Sequence, residues 1–234
     1  MIVAAHQPNF APWLGFFDKA NAADVLVLLD TVQFIKRGYQ NRTRLKGSSG
    51  EAQWLTVPVI SKGRYDQATL DVEIDESARW RSVHLRTLQS ALAKAPHRDA
   101  LMELVEPIYA REDVHRLVDL NVAVLHEVAA RLGLSTRLVL ASELDLTGSS
   151  TELMIGLTKA VGGDVYLSGP TGRRYLEPEQ FTDAQLELRY HEFAPFEYPQ
   201  QHGAFVPGLS CFDYIANCGF TPWKADAEVQ TVTP

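Results

Sequence analysis

The chain has 234 residues, 46% of them hydrophobic and 22% charged, with a net charge of −7, which suffices for a sizeable core in one domain. No apolar run reaches the roughly eighteen residues of a membrane-spanning helix. No basic stretch followed by an apolar one opens the sequence, so neither a membrane partner nor a secretory signal is expected. The acidic balance argues against nucleic acid as a partner, and Cys211 and Cys218 are read as reduced thiols of a cytoplasmic protein.

Residues Ile2 to Ala5 form an apolar strand that runs into the polar group His6-Gln7-Pro8-Asn9. An amphipathic helix follows, then a second apolar strand from Val25 to Leu29 that ends in Asp30. The next stretch gathers Gln33, Lys36, Arg37, Gln40, Asn41, Arg42 and Arg44, with no acid between Val32 and Gly50. Residues 52–59 read as a strand, 61–68 as a turn or loop, and 70–75 (LDVEID) alternate like a half-exposed strand. Residues 76–133 read as mainly helical. Val83, Leu85, Leu88 and Leu92 mark a helix broken near Pro96, and Leu101, Leu104, Val105 and Ile108 continue it. Val114 to Leu132 is a long amphipathic helix with Gly133 just past its end. A strand over 136–144 precedes a helix over 151–161, capped by Ser149 or Ser150 and ended by Gly162-Gly163. Residues 164–169 are a buried strand followed by a glycine turn, 178–184 a short helix, 186–193 a strand and 209–217 the last helix, before a polar tail. Alternating strands and helices at both ends predict a Rossmann-like α/β fold: a parallel or mixed sheet with helices on both faces. The whole chain reads as one domain with a mainly helical insertion over about 76–135.

In such sheets ligands bind at the carboxyl ends of the strands, and loops on a rigid scaffold carry functional groups. His6, Asp30 and Lys36 are the candidate catalytic residues. His6 is read as the general base, since imidazole exchanges a proton near neutral pH. Gln7 and Asn9 would orient an acceptor, while Gln33, Arg37, Gln40, Asn41 and Arg42 would hold a phosphate or carboxylate, for which guanidinium offers a matching fork. Ser168, Gly169, Thr171, Gly172 and Arg173, in SGPTGRRYL, would close the opposite wall with a turn of backbone N–H groups. Each group has a plainer reading: a turn held by Asn and Pro, a solvated charge run, and glycines present for positive φ. The segment from His202 to Gly208 is a candidate lid, and Ser210 or Asp213 could face the site. No P-loop, GxGxxG or GxSxG pattern is present, and no histidine pair has metal-site spacing, so no metal is expected.

The blocks HQPNFAPWLGFFDK, DVLVLLDTVQFIKRGYQNR, WLTVPV, YLSGPTGRRYLEPEQF and FVPGLSCFDYIANCG, in that order from Met1 to about Gly219, resemble the WbqC family. Gly208 stands where that family commonly has Asn, and Cys211-Phe212 where it has aliphatic residues. The resemblance implies a bacterial cytoplasmic protein of O-antigen or natural product biosynthesis, acting on sugars or amino-acid-derived groups. The expected activity is an acyltransferase-type transfer of an acyl or aminoacyl group onto an amine or hydroxyl of a small acceptor, with an acyl carrier protein as a candidate partner. The opening strand–loop–helix–strand is also similar to the HIGH-type nucleotidyltransferase and pantothenate synthetase fold. That likeness implies a rival activity, carboxylate activation with ATP and magnesium. The matching stretch here, Trp13-Leu14-Gly15-Phe16, holds neither motif histidine, and His6 is the candidate substitute. A second rival is a non-catalytic binding module for a sugar nucleotide or carrier protein.

Overall fold

The computed structural model describes residues 1–223 and the backbone of 229–231. Its centre is β1 (Ile2–His6), which pairs in parallel with β2 (Val25–Leu28) on one side and β6 (Val165–Ser168) on the other. β2 pairs with β5 (Arg137–Leu140) and β6 with β7 (Glu187–His191), all parallel. The strand β8 (Val229–Thr231) adds antiparallel to the outer edge of β7. The sheet order is therefore β5-β2-β1-β6-β7-β8. Counted along the chain, its five parallel strands lie in the 3-2-1-4-5 order of the Rossmann arrangement. The order reverses between β1 and β6, and the chain leaves their carboxyl ends in opposite directions. A crevice opens there.

Successive side chains of a strand point to opposite faces, and here both faces are apolar, as a parallel sheet covered on two sides requires. Ala4, Leu26, Leu28 and Leu167 pack with Phe16, Phe17 and Ala20 of α1 (Leu14–Asn21). On the same side lie α2 (Trp80–Ala91), α3 (Arg98–Tyr109) and α4 (Leu117–Arg131), which fall between β2 and β5 in the chain. Val3, Ala5, Val25, Val27 and Tyr166 pack on the other face, against Met154 and Leu157 of α5 (Ser150–Ala160) and Phe181 of α6 (Pro178–Asp183). The last helix, α7 (Cys211–Cys218), packs on α3.

The helix ends follow the chemistry of their glycines. After α4, Gly133 takes φ +72°; its N–H donates to the Ala130 carbonyl and that of Leu134 to Ala129. This crossed pair satisfies the last carbonyls, and the positive φ is open to glycine without a Cβ clash. Two expectations are corrected. Residues 70–75 are not a strand: Thr69–Asp71 is a 3-10 turn, and the rest makes only isolated bridges, Val59 with Ile74 and Glu73 with Arg116. The cationic stretch conceals one instead: β3 (Arg42–Lys46) pairs antiparallel with β4 (Ala52–Thr56), which is shorter than expected. In β3 the buried Thr43 and Leu45 alternate with half-buried Arg42 and Arg44. Of the polar tail, residues 224–228 and 232–234 lie outside the described residues. Both cysteines are free thiols. Among the described residues no helix is long and apolar enough to cross a membrane.

Candidate functional site

A cavity of about 520 Å³ opens at the carboxyl ends of β1 and β6, where an open α/β sheet presents its ligand crevice. β1 ends in His6 and Gln7, and β6 supplies Ser168, followed by Gly169 and Thr171. The remaining walls come from Lys19 and Phe16 of α1, Trp13 before it, and His191 and Phe193 at the end of β7.

Three ionisable groups give the cavity its chemistry. In α1 every residue from Leu14 to Ala20 is buried, including Asp18 and Lys19. The Lys19 ammonium donates to the Ala5 carbonyl at 2.8 Å. Burial disfavours its charged form and pulls its pKa down to about 8. The Asp18 carboxylate accepts from the Trp223 indole N–H at 2.7 Å through one oxygen. Its other oxygen lies 2.8 Å from His191 Nε2. The side chains of His191 and Asp18 are 3% and 1% exposed, so water does not compete for the contact. The two atoms are in close contact without the alignment of a hydrogen bond; in a neutral ring protonated at Nε2, Nδ1 keeps the lone pair.

His6 has a different setting. Its Nδ1 lies 3.0 Å from the Gln7 carbonyl, and its ring meets Phe16 edge-on at 4.8 Å. Burial, with the nearby Lys19 charge adding to it, pushes the pKa down to about 3. The ring is neutral throughout the neutral range, with Nδ1–H donating to the carbonyl and Nε2 left as an acceptor. A proton acceptor works best with a pKa near the working pH, so His6 suits orienting a donor group more than removing a proton. Across the cavity the buried Ser168 hydroxyl donates to the Gly169 carbonyl at 3.0 Å. A Cβ on Gly172 would overlap the Ser168 oxygen, which explains a glycine there without invoking an anion nest.

The expectation that residues 6–9, 36–42 and 168–174 surround one cavity is corrected. His6, Gln7, Ser168, Gly169 and Thr171 meet there, while Asp30, Gln33, Lys36, Arg37, Gln40, Asn41 and Arg42 lie elsewhere. Asp30 is buried and accepts from the Ser142 backbone N–H at 2.9 Å and its hydroxyl at 2.5 Å, which ties β2 to the turn after β5. Gln40 donates to Thr69 Oγ1 at 3.0 Å and accepts from the Ile35 N–H at 2.8 Å. Asn41 donates to the Val57 carbonyl at 2.9 Å. Gln33 bonds Tyr65 O and Asp66 Oδ1, both at 3.2 Å. Lys36 and Arg37 are exposed, and Arg42 bonds the Arg37 carbonyl while stacking 3.9 Å above Trp54. Arg173 pairs with Glu192 and lies over the Tyr190 ring. Asn9 is half-buried outside the lining. Asn121 joins the two regions: its amide donates to the Pro8 and Gln40 carbonyls, each at 2.7 Å.

The candidate lid is pinned. His202 Nε2 lies 2.9 Å from the Ala91 carbonyl, and Gln200 and Val206 exchange two hydrogen bonds of 2.9 Å. Ser210 caps α7, accepting from the Phe212 N–H. Asp213 is buried, accepting from Tyr198 at 3.0 Å. The sequence reading missed Lys19, Asp18 and His191. A signal existed for the first two: Asp18 stands four residues after Leu14, and Lys19 three after Phe16, so neither has a polar face of α1 to itself. His191 closes a parallel strand, the same position that singled out His6 and Ser168.

Residues 7–224 match the WbqC-like protein family. The protein named Uncharacterized protein Rv1507c of Mycobacterium tuberculosis is 33% identical over 218 residues, covering 93% of this chain and 94% of that one. No solved structure matches significantly. The chain belongs to the WbqC-like family.

Proposed function

We propose that this WbqC-like protein is an acyl- or aminoacyltransferase whose active site is the switch-point cavity, with an amine or hydroxyl of a small molecule as acceptor. The observation that carries the reading is the meeting of a buried Asp18–His191 pair with a buried lysine in one cavity at the crossover of the sheet. Asp18 orients the His191 ring, as the third member of a nucleophile–base–acid set does. His191 Nδ1 removes the acceptor proton as the acceptor attacks the donor's acyl carbon. Negative charge grows on the carbonyl oxygen, and the Lys19 ammonium offsets it in a site where burial strengthens the interaction. Collapse of the adduct breaks the bond to the donor's leaving group, which takes the proton from His191. His6, fixed as an acceptor at Nε2, and Gln7 orient the incoming amine or hydroxyl. This gives His191 the proton-transfer role that the sequence suggested for His6.

The test is transfer of an octanoyl group from its N-acetylcysteamine thioester to hydroxylamine, followed by thiol release and hydroxamate colour. His191→Ala should cost roughly 10²–10⁴-fold while circular dichroism stays unchanged. Absence of transfer by the native protein, or a His191→Ala variant within threefold of it, sinks the reading. A binding module is the second reading, favoured by His6 resting neutral against a backbone carbonyl. It predicts ligand affinity without turnover. Nucleotide-dependent carboxylate activation, to which the strand order lends support, predicts stabilisation by ATP with magnesium in a thermal shift.

A further inference from the structure

Beside the switch-point cavity lies a second one of about 310 Å³, and the two share Trp13 and Phe193 as a wall. Their characters differ. The first holds Lys19, His6, His191 and Ser168. The second is lined by Leu14, Leu209, Pro195, Pro207, Phe196 and Phe205, with no charged side chain among its walls. The one hydroxyl there, that of Tyr198, donates to Asp213 at 3.0 Å and is occupied inside the protein. A guest in this space meets mainly apolar surface. The volume falls in the range of small-ligand pockets.

The shared wall is a built feature. The Trp13 indole is 41% exposed and meets Phe193 edge-on at 5.1 Å. It lies over Gly15, where a Cβ would stand 2.5 Å from the indole ring. Glycine weakens a helix relative to alanine, and Gly15 sits in the first turn of α1 with φ in the ordinary range. The position of the indole is what requires it.

We propose that the second cavity binds the hydrocarbon part of the donor, a medium-length alkyl chain or an aryl group, whose carbonyl end lies in the first cavity. Trp13 and Phe193 form the threshold that the chain crosses. The carbonyl end rests on the acyl-transfer reading; the hydrocarbon end rests on an apolar cavity that shares the Trp13–Phe193 wall with a polar one holding a buried cation.

The experiment is calorimetric titration of the full chain with sodium acetate, butyrate, hexanoate and octanoate. Affinity should rise about two- to fourfold per added methylene from butyrate to octanoate. Pro207→Trp, which fills the cavity from its exposed rim, should flatten the series while leaving acetate binding unchanged, and Gly15→Ala, which displaces the indole from the shared wall, should flatten it too. Lys19→Met should weaken every member and keep the slope. A series with no slope in the native protein, or a slope that survives both Pro207→Trp and Gly15→Ala, overturns the proposal. Affinities that Lys19→Met leaves unchanged across the series would keep the hydrocarbon site and remove the ionic end of the acyl-transfer reading. Dimerisation that Pro207→Trp abolishes would assign the apolar wall to a second copy of the chain and also overturn the proposal.

Discussion

The switch-point cavity and the cationic stretch of residues 33–46 are neighbours, tied by the Asn121 amide, yet they use polar side chains in opposite ways. In the stretch, Gln40 and Asn41 turn inward and spend their hydrogen bonds on backbone and Thr69, because an irregular segment needs side chains to satisfy buried polar groups. Its charges are exposed, as with Lys36 and Arg37, stacked, as with Arg42 on Trp54, or turned inward onto backbone carbonyls, as with the buried Lys46. The cavity takes Lys19 from a helix buried from Leu14 to Ala20, and His191, against Asp18 of that helix, from the buried end of β7. A dense run of polar residues marks backbone in need of partners; the buried charges of α1 lie instead beside the cavity.

The largest test of that contrast is the joint itself. Asn121→Leu leaves the Pro8 and Gln40 carbonyls buried without a donor, and unfolding in urea should show a loss of roughly 2–4 kcal/mol. A loss under 1 kcal/mol would mean that the two regions stand independently.

Acid divides the regions next. Each holds a neutral histidine: the half-buried His6 in the cavity, and the buried His84 beneath the hairpin, its Nε2 2.8 Å from the Thr56 carbonyl. Burial lowers the first to about 3 and the second to about 4, from an ordinary 6.5. Below that ordinary value the unfolded chain binds protons that the folded one refuses. The stability these rings contribute is thus complete above pH 6.5 and is lost as the pH falls toward 4 and 3, with a slope approaching about two protons per molecule. His6→Asn should remove about half of that slope between pH 6 and 4. An unchanged slope would mean that His6 takes up its proton in the folded state.

The smallest effects belong to the exposed cations. Lys36→Ala and Arg37→Ala should each change stability by less than about 0.5 kcal/mol and leave octanoate affinity alone. A drop in affinity with either would return the cationic stretch to the binding site.

The fold was largely legible because the inner strands β1, β2 and β6 are short apolar runs, and the end of α4 carries a local code at Gly133. The failures have physical causes. Residues 70–75 alternate like a strand, but their neighbours on the two sides are single residues, Val59 and Arg116, and not a ladder. β3 alternates too, yet Arg42 reads as a ligand-binding cation because its pairing partner, β4, is not visible from charge alone. At the site, His6 and Ser168 were found by their place at strand ends. Lys19 and Asp18 were hidden because a helix expected to be amphipathic has room for polar residues, and the burial of all its sides depends on the sheet below and α7 nearby.

The Trp223–Asp18 bond links residues 205 positions apart, and His191 joins the same carboxylate from far along the chain. During synthesis, Asp18 emerges while both of its companions are still untranslated. The N-terminal strands and α1 can assemble early, as domains do on the ribosome, but with an acid that has no partner in an apolar setting. The Asp18–His191 pair would then be completed near the end of translation, and a nascent chain halted before residue 191 would carry the buried acid without its ring partner.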